Sequence, residues 1–205
     1  MPAGPSEVLV VADQTARPEF VAADLLAQAE HSVDAQVVLV TTLAELAEQV
    51  IGEVERQMNN LPRKKITARS IANSRAIIVD DLETAIEVSN QYAPEHLILQ
   101  IDSPRDWLPR IRNAGSVFLG PWTPETMGDY CSGTNHVLPT YGHARAYSGL
   151  GVVDFVKRMT VQEVSPAGIA DLGLTARTLA ELESLDGHAH AVTVRLNALQ
   201  RGDGK

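Results

Sequence analysis

Short apolar runs rich in β-branched residues alternate with segments of helical periodicity over the first two-thirds of the chain. These runs lie at Val8–Val11, Val37–Val40, Ala76–Val79, Leu97–Ile101 and Val117–Leu119. Between them, apolar residues recur at intervals of three and four, which is typical of amphipathic helices. Strands that alternate with helices predict βαβ units, and therefore an α/β fold built on a mostly parallel sheet.

Residues that commonly begin or end helices support this reading. Asp81 precedes one helical segment, and Ser103 followed by Pro104 precedes another. Gly115 follows that second segment and is interpreted as the glycine that ends a helix. The pattern breaks between Gly120 and Gly151, where glycine, proline, aromatic and polar residues dominate. A loop of this length and composition is usually functional.

The last 55 residues or so have a different pattern and predict a separate, mainly helical unit. Met159–Val164 is interpreted as a short strand, and Ser165 followed by Pro166 as the start of a helix. Helices are predicted over Leu172–Leu185 and His190–Leu199, and the RGDGK tail is expected to fray. We therefore expect a first domain over residues 1–150 and a second over 151–205.

Charge and composition exclude several classes of partner. The 205 residues include 17 Lys and Arg against 26 Asp and Glu, which gives a formal net charge of −9. Because binding to the phosphate backbone needs clustered positive charge, we expect no nucleic-acid partner. The one basic cluster, Arg63–Lys65 with Arg69, is interpreted as a solvated loop or helix face.

No segment of the sequence points to a membrane or to secretion. No apolar run approaches the roughly 20 residues that a membrane-spanning helix needs. The first residues lack the positively charged and apolar regions of a signal peptide. The single cysteine, Cys131, excludes an internal disulfide and favours a reducing, cytoplasmic environment.

Two polar pairs stand out as candidate functional groups. Gln28 and His31 are three residues apart at a predicted helix end, where they either converge on one ion or ligand or are simply solvated. Glu95 and His96 directly precede a predicted strand. An adjacent acid and imidazole can serve two separate proton transfers, although a capped turn with a surface carboxylate fits the same pattern.

Three further features leave their alternatives open. Asp129 and His136 lie in a loop bounded by glycines. Either Asp129 is a metal ligand and His136 contacts the substrate, or both residues are parts of a structured turn. His188 and His190 either contribute a metal ligand or belong to the start of a helix. Cys131 could be a nucleophile if a base lies nearby, but we expect it to be buried and inert.

Longer motifs resemble histidinol dehydrogenases. They are PAGPSEVLV, LLAQAEH, NQYAPEHL, AGSVFLGPWTPETMGDYCSGTNHVLPTYG and DFVKRMTVQE, and the resemblance runs from Pro2 to about Leu199. It covers only the C-terminal half of the family's usual chain, and Met1 matches an internal methionine of that chain. A truncated or split form is therefore expected.

The resemblance implies a zinc-dependent, NAD-linked dehydrogenase that oxidises L-histidinol to L-histidinaldehyde and then to L-histidine, the last steps of histidine biosynthesis. It also implies an incomplete Rossmann-like fold and a homodimer with a shared active site. The family's NAD contacts lie in the N-terminal half, so the cofactor-binding residues are unknown here. We do not expect this half alone to turn over, and an N-terminal half chain is a possible partner.

The same resemblance assigns roles to individual residues. Glu95 would activate the water that hydrates the aldehyde, and His96 would accept the proton at each oxidation. The zinc ligands would be Gln28, His31, Asp129 and His188. The substrate pocket would be lined by Ser6, Gln28, His31, His96, Asp129, His136, Glu183 and His188. Of these, Glu183 and His188 would reach into the partner subunit's site.

Two other functions compete with this one. The chain could be a catalytically silent zinc-binding or assembly module derived from the same fold, although all four expected zinc ligands are present. It could also be a metal-dependent hydrolase that uses Glu95, which is disfavoured because substrate groups fill the zinc shell in the family it resembles.

Overall fold

Each of the five apolar runs in the first two-thirds of the chain forms a strand, with ends shifted by no more than one residue, in the computed structural model, which describes residues 2–202. All neighbouring strands are parallel, so the predicted α/β fold with a parallel sheet is confirmed. The strands are β1 (Glu7–Ala12), β2 (Gln36–Thr41), β3 (Arg75–Ile78), β4 (His96–Gln100) and β5 (Ser116–Leu119). Their order in the sheet is β3–β2–β1–β4–β5, which places β1 at the centre.

Seven helices accompany these strands in the described residues, and none is long and apolar enough to cross a membrane. They are α1 (Pro18–Ala29), α2 (Ala44–Met58), α3 (Lys64–Ala72), α4 (Leu82–Tyr92), α5 (Glu125–Tyr130), α6 (Pro166–Leu182) and α7 (Asp186–Gln200). Short 3₁₀ turns lie at Pro104–Arg110, His143–Arg145 and Val152–Phe155. The basic cluster at the start of α3 is exposed, as predicted.

The sheet is buried on both faces because alternate residues of each strand point to opposite sides. Val8 and Val10 of β1 belong to a core that includes residues of α1 and α2. Leu9 and Val11 belong to a second core that includes residues of α4. Burial on two sides explains why the strands are almost continuously apolar in sequence.

Some of the predicted helix boundaries are confirmed, and others are wrong. Asp81 begins α4, and its carboxylate accepts a hydrogen bond from the Thr84 N–H. Ser103 precedes a 3₁₀ turn rather than an α-helix, and its side chain makes no capping hydrogen bond. Gly115 does not end a helix. It leads into β5, and its N–H donates to the Pro94 carbonyl.

The chain divides into two units after Phe155, whereas the sequence placed the boundary after Leu150. The second unit contains α6 and α7, and the Ser165 hydroxyl accepts the Gly168 N–H at the start of α6. The strand predicted over Met159–Val164 is wrong, because no strand of the described residues pairs with this exposed segment. Residue 1 and residues 203–205, which include part of the predicted tail, lie outside the described residues.

We predict that Gly115→Ala destabilises the protein, because a β-carbon at this position would lie 2.6 Å from the backbone oxygen of Glu95. We expect a loss of about 1–3 kcal/mol in the free energy of unfolding, measured by urea denaturation. Gly52→Ala is the matched control, since Gly52 lies within α2 with nothing near its missing side chain. That change should stabilise the helix by about 0.5–1 kcal/mol. Equal effects of the two substitutions would contradict this account.

Candidate active site

The polar residues of the site gather at the amino edge of the sheet. Glu7 and His96 are the first residues of the adjacent strands β1 and β4, and Val8 is paired with His96 in the register. Helix α1 connects the parallel strands β1 and β2, so it runs back across the sheet and ends near the same edge. Gln28 lies in its last turn, and His31 is the second residue after the helix. This topology brings together two residue pairs that are far apart in sequence.

The backbone of Glu7 holds both members of the Glu95–His96 pair. Its N–H donates to Oε2 of Glu95 at 2.8 Å. Its carbonyl oxygen lies 3.0 Å from Nδ1 of His96, which therefore carries the proton and donates it. All three residues are buried, so these hydrogen bonds are shielded from water. One residue of the central strand thus fixes the orientation of the acid and of the imidazole.

Nε2 of His96 is buried and has no hydrogen-bond partner among the described residues. The nearest carboxylate oxygen is Oδ1 of Asp129 at 3.7 Å, which is too far for a hydrogen bond. Burial lowers the pKa of His96, which favours the neutral ring at neutral pH. The ring therefore presents an unshared electron pair towards Asp129.

The Glu95 carboxyl has a pKa suited to proton transfer near neutral pH. The pKa of Glu95 is raised to about 7. Burial is the largest cause, and the nearby carboxylates of Glu7 and Asp129 also contribute to the increase. The hydrogen bond from the Glu7 N–H acts in the opposite direction. A carboxyl group that titrates in this range can both accept and return a proton.

Glu125 is a buried member of the site that sequence reasoning missed. It begins α5, one turn before Asp129, so the two carboxylates share one helix face. One orientation of the Gln28 amide satisfies both its nitrogen and its oxygen. In it, the amide nitrogen donates to Oε2 of Glu125 at 3.0 Å, and the amide oxygen accepts the Glu7 N–H at 2.9 Å. Burial, with the charges of Asp129, Glu95 and Asp24, raises the pKa of Glu125 to about 9. The four-residue spacing from Asp129 was the signal that could have identified it.

A pocket of about 370 Å³ brings most of the predicted site residues together. The predicted residues that line it are Ser6, Gln28, His31, Glu95, His96, Asp129 and His136. Glu125 lines it as well, and no lysine or arginine is among the described lining residues. Glu183 and His188 lie in the second unit, where both are exposed. Their roles remain predictions.

Two further predictions concern metal binding and the cysteine. Among the histidine, cysteine and carboxylate groups of the described residues, those of His96, Glu125 and Asp129 each offer a donor atom within 4.8 Å of the other two. Asp129 is the one predicted zinc ligand in this set. Cys131 is exposed, so the expectation that it is buried is wrong. It follows the last residue of α5, where the chain leaves the helix. Its thiol is not among the groups that line the pocket.

We predict that Glu125→Gln is more stable than the unsubstituted protein, and that this difference in stability grows as pH rises from about 5 to about 8. With its pKa raised to about 9, folded Glu125 keeps a proton that the unfolded chain has already released. This carboxyl therefore costs no stability in acid, and an increasing amount as pH rises. Melting temperatures measured by circular dichroism in the presence of a chelator should show the difference.

Glu48→Gln, on the exposed face of α2, reports the effect of losing one surface carboxylate. A difference between Glu125→Gln and the unsubstituted protein that stays constant across this pH range would contradict the assignment.

Comparison with known proteins gives the chain a family. The family model for histidinol dehydrogenase matches residues 1–196. The chain is 57% identical over 199 residues to the histidinol dehydrogenase of Vibrio vulnificus (strain YJ016), covering 97% of this chain and 46% of the relative. It is 55% identical over 199 residues to the histidinol dehydrogenase of Pasteurella multocida (strain Pm70), with the same coverage of each chain.

A solved structure agrees with the sequence relatives. The crystal structure of histidinol dehydrogenase from Elizabethkingia anophelis superposes with a TM-score of 0.95 at 52% identity, and covers 98% of this chain and 46% of that one. The chain thus spans about half the length of the curated relatives it matches. Both its sequence and its fold show that it belongs to the histidinol dehydrogenase family.

Proposed function

We propose that this chain carries the substrate-binding and proton-transfer residues of an enzyme that oxidises L-histidinol, through L-histidinaldehyde, to L-histidine with two molecules of NAD. The observation that carries this proposal is the pair Glu95 and His96, both held by the backbone of Glu7 at one pocket. The reaction has two kinds of proton transfer, and the pair offers one group for each.

His96 would act as the base in each oxidation. When a hydride leaves the carbinol carbon for NAD, the hydroxyl proton must leave as well, and the free Nε2 of a neutral His96 can accept it. The hydrogen bond from Nδ1 to the Glu7 carbonyl keeps the ring in the tautomer that this role requires. The same transfer would be repeated when the hydrated aldehyde is oxidised.

Glu95 would act between the two oxidations. The aldehyde must add water before it can lose a second hydride, and a carboxylate that removes a proton from that water speeds the addition. A pKa of about 7 makes Glu95 a base of suitable strength at neutral pH. The different environments of the two groups support the division of work between them, because burial lowers the pKa of His96 and raises that of Glu95.

Zinc fits the donors that the pocket offers, since they are imidazole nitrogens and carboxylate or amide oxygens with no competing lysine or arginine among the described lining residues. We propose Gln28, His31, Asp129 and His188 as its ligands. To bind zinc through its amide oxygen, Gln28 would have to give up its hydrogen bond from the Glu7 N–H. The Glu7 N–H would keep its hydrogen bond to the Glu95 carboxylate. When bound, zinc would hold the imidazole and amine of the substrate and so orient it.

The site as proposed needs contributions from outside one copy of this chain. We propose that a second copy supplies Glu183 and His188, which would make the homodimer part of the active site. No described residue is assigned to NAD, and an N-terminal half chain is the proposed source of those contacts. The proposal is supported by the relatives, of which this chain covers 46%.

Calorimetric titration of L-histidinol into metal-free and zinc-loaded protein tests the substrate and the metal together. We expect binding only with zinc, and its loss in His31→Ala and in His188→Ala, because each removes a proposed ligand. His143→Ala, an exposed histidine that does not line the pocket, is the matched control. Binding that is equally strong without zinc would contradict the proposed metal role.

The number of NADH molecules formed per L-histidinol tests the reaction. With the N-terminal half supplied, we expect two. In Glu95→Gln the second oxidation should slow by about 10²–10⁴-fold, so that aldehyde accumulates, while the first oxidation is less affected. Zinc-dependent histidinol binding without any NADH formation would instead support the alternative of a catalytically silent zinc-binding module.

A further inference from the structure

We propose that Nε2 of His96 and the carboxylates of Glu125 and Asp129 form a second position for a divalent cation, distinct from the zinc position proposed above. An ion held there would occupy the electron pair that His96 needs as a base. The position would therefore bind an inhibitory metal. Binding of the ion itself does not depend on the proposed reaction.

The first argument is the state of His96. The residue is 3% exposed, and its Nε2 has no partner within residues 2–202, although an unpaired buried polar atom is costly. Its other ring nitrogen donates to the Glu7 carbonyl, which is the usual second interaction of a histidine that ligates a metal. The ring is thus already oriented as a ligand.

The second argument is the distance to Asp129. Two ligands that lie about 2.1 Å from one ion, at angles of about 109–120°, are about 3.4–3.6 Å apart. Nε2 of His96 and Oδ1 of Asp129 are 3.7 Å apart, which is close to this separation and too long for a direct hydrogen bond. The gap between them has the size that a shared ion requires.

The third argument is the excess of carboxylates. Glu125 adds a carboxylate from the same face of α5 as Asp129, and its Oε2 lies 3.8 Å from Nδ1 of His96. One donor atom from each of the three residues lies within 4.8 Å of the other two. It accepts from Gln28 but retains further lone pairs. Glu95 lines the same pocket, and none of the described lining residues is a lysine or arginine. A divalent cation would neutralise acids that face one another in a buried space.

The donor set indicates the class of ion. One imidazole nitrogen with carboxylate oxygens suits zinc, cobalt and similar first-row metals better than calcium or magnesium. Asp129 belongs to both positions, whereas His31 and His188 belong only to the first. Removing His31 and His188 therefore separates the two positions.

The test is a titration of zinc, and of cobalt as a spectroscopic probe, into four variants of the chain. In His31→Ala/His188→Ala we expect one equivalent still to bind with unchanged affinity, because neither residue is a ligand of the new position. In Glu125→Gln we expect that affinity to fall by at least about tenfold. His96→Gln should have the same effect, and His143→Ala is the surface control.

A second measurement does not rely on substitutions. In long-range ¹H–¹⁵N spectra of the His31→Ala/His188→Ala protein, one equivalent of zinc should shift Nε2 of His96 and leave His143 unchanged. An Nε2 resonance that does not respond to bound zinc would overturn the proposal. So would loss of all zinc binding in His31→Ala/His188→Ala with full retention in Glu125→Gln. If His96→Gln fails to fold, the spectra and Glu125→Gln still decide the matter.

Discussion

The hydrogen bonds of the Glu7 backbone are the interaction on which the rest of the site depends. Residues in mid-strand use both backbone groups for the sheet, but Glu7 begins β1 and directs its N–H and carbonyl to Glu95 and His96. Because β1 is the central strand and is buried along its whole length, this backbone cannot shift without disturbing the sheet. The geometry of the acid and the imidazole is therefore set by the buried central strand.

The carboxyl groups around this backbone are buried, which disfavours their ionised form. Burial raises the pKa of Glu7, Glu95 and Glu125, which means that each is costly to ionise where it stands. Oε2 of Glu7 is also without a hydrogen-bond partner in the part of the chain that the structure describes. Buried groups that are incompletely paired are usual where binding or catalysis requires them. The stability lost at these acids is offset by the two apolar cores on either side of the sheet.

Sequence patterns predicted the sheet well because its strands are buried on both faces, and uninterrupted apolar runs identify such strands. The Glu95–His96 pair was found because adjacent polar residues at the head of an apolar run are conspicuous. Glu125 was missed because its burial depends on residues far away in sequence, such as Gln28, and the spacing from Asp129 alone shows a shared helix face but not burial. The segment Met159–Val164 has the composition of a strand, but no strand of the described residues pairs with it. Composition alone does not show whether a pairing strand exists.

The location of the site at the amino edge of the sheet has an electrostatic consequence. Many parallel α/β proteins bind ligands at the carboxyl edge, where helices begin and their positive ends attract phosphates. Here α1 and α4 end beside the site, at Ala29 and Tyr92, so the pocket lies at the negative ends of their dipoles. This half of the fold is polarised to attract positive charge. It suits a metal ion or an amine, and it would repel the anionic groups that such sheets more often bind.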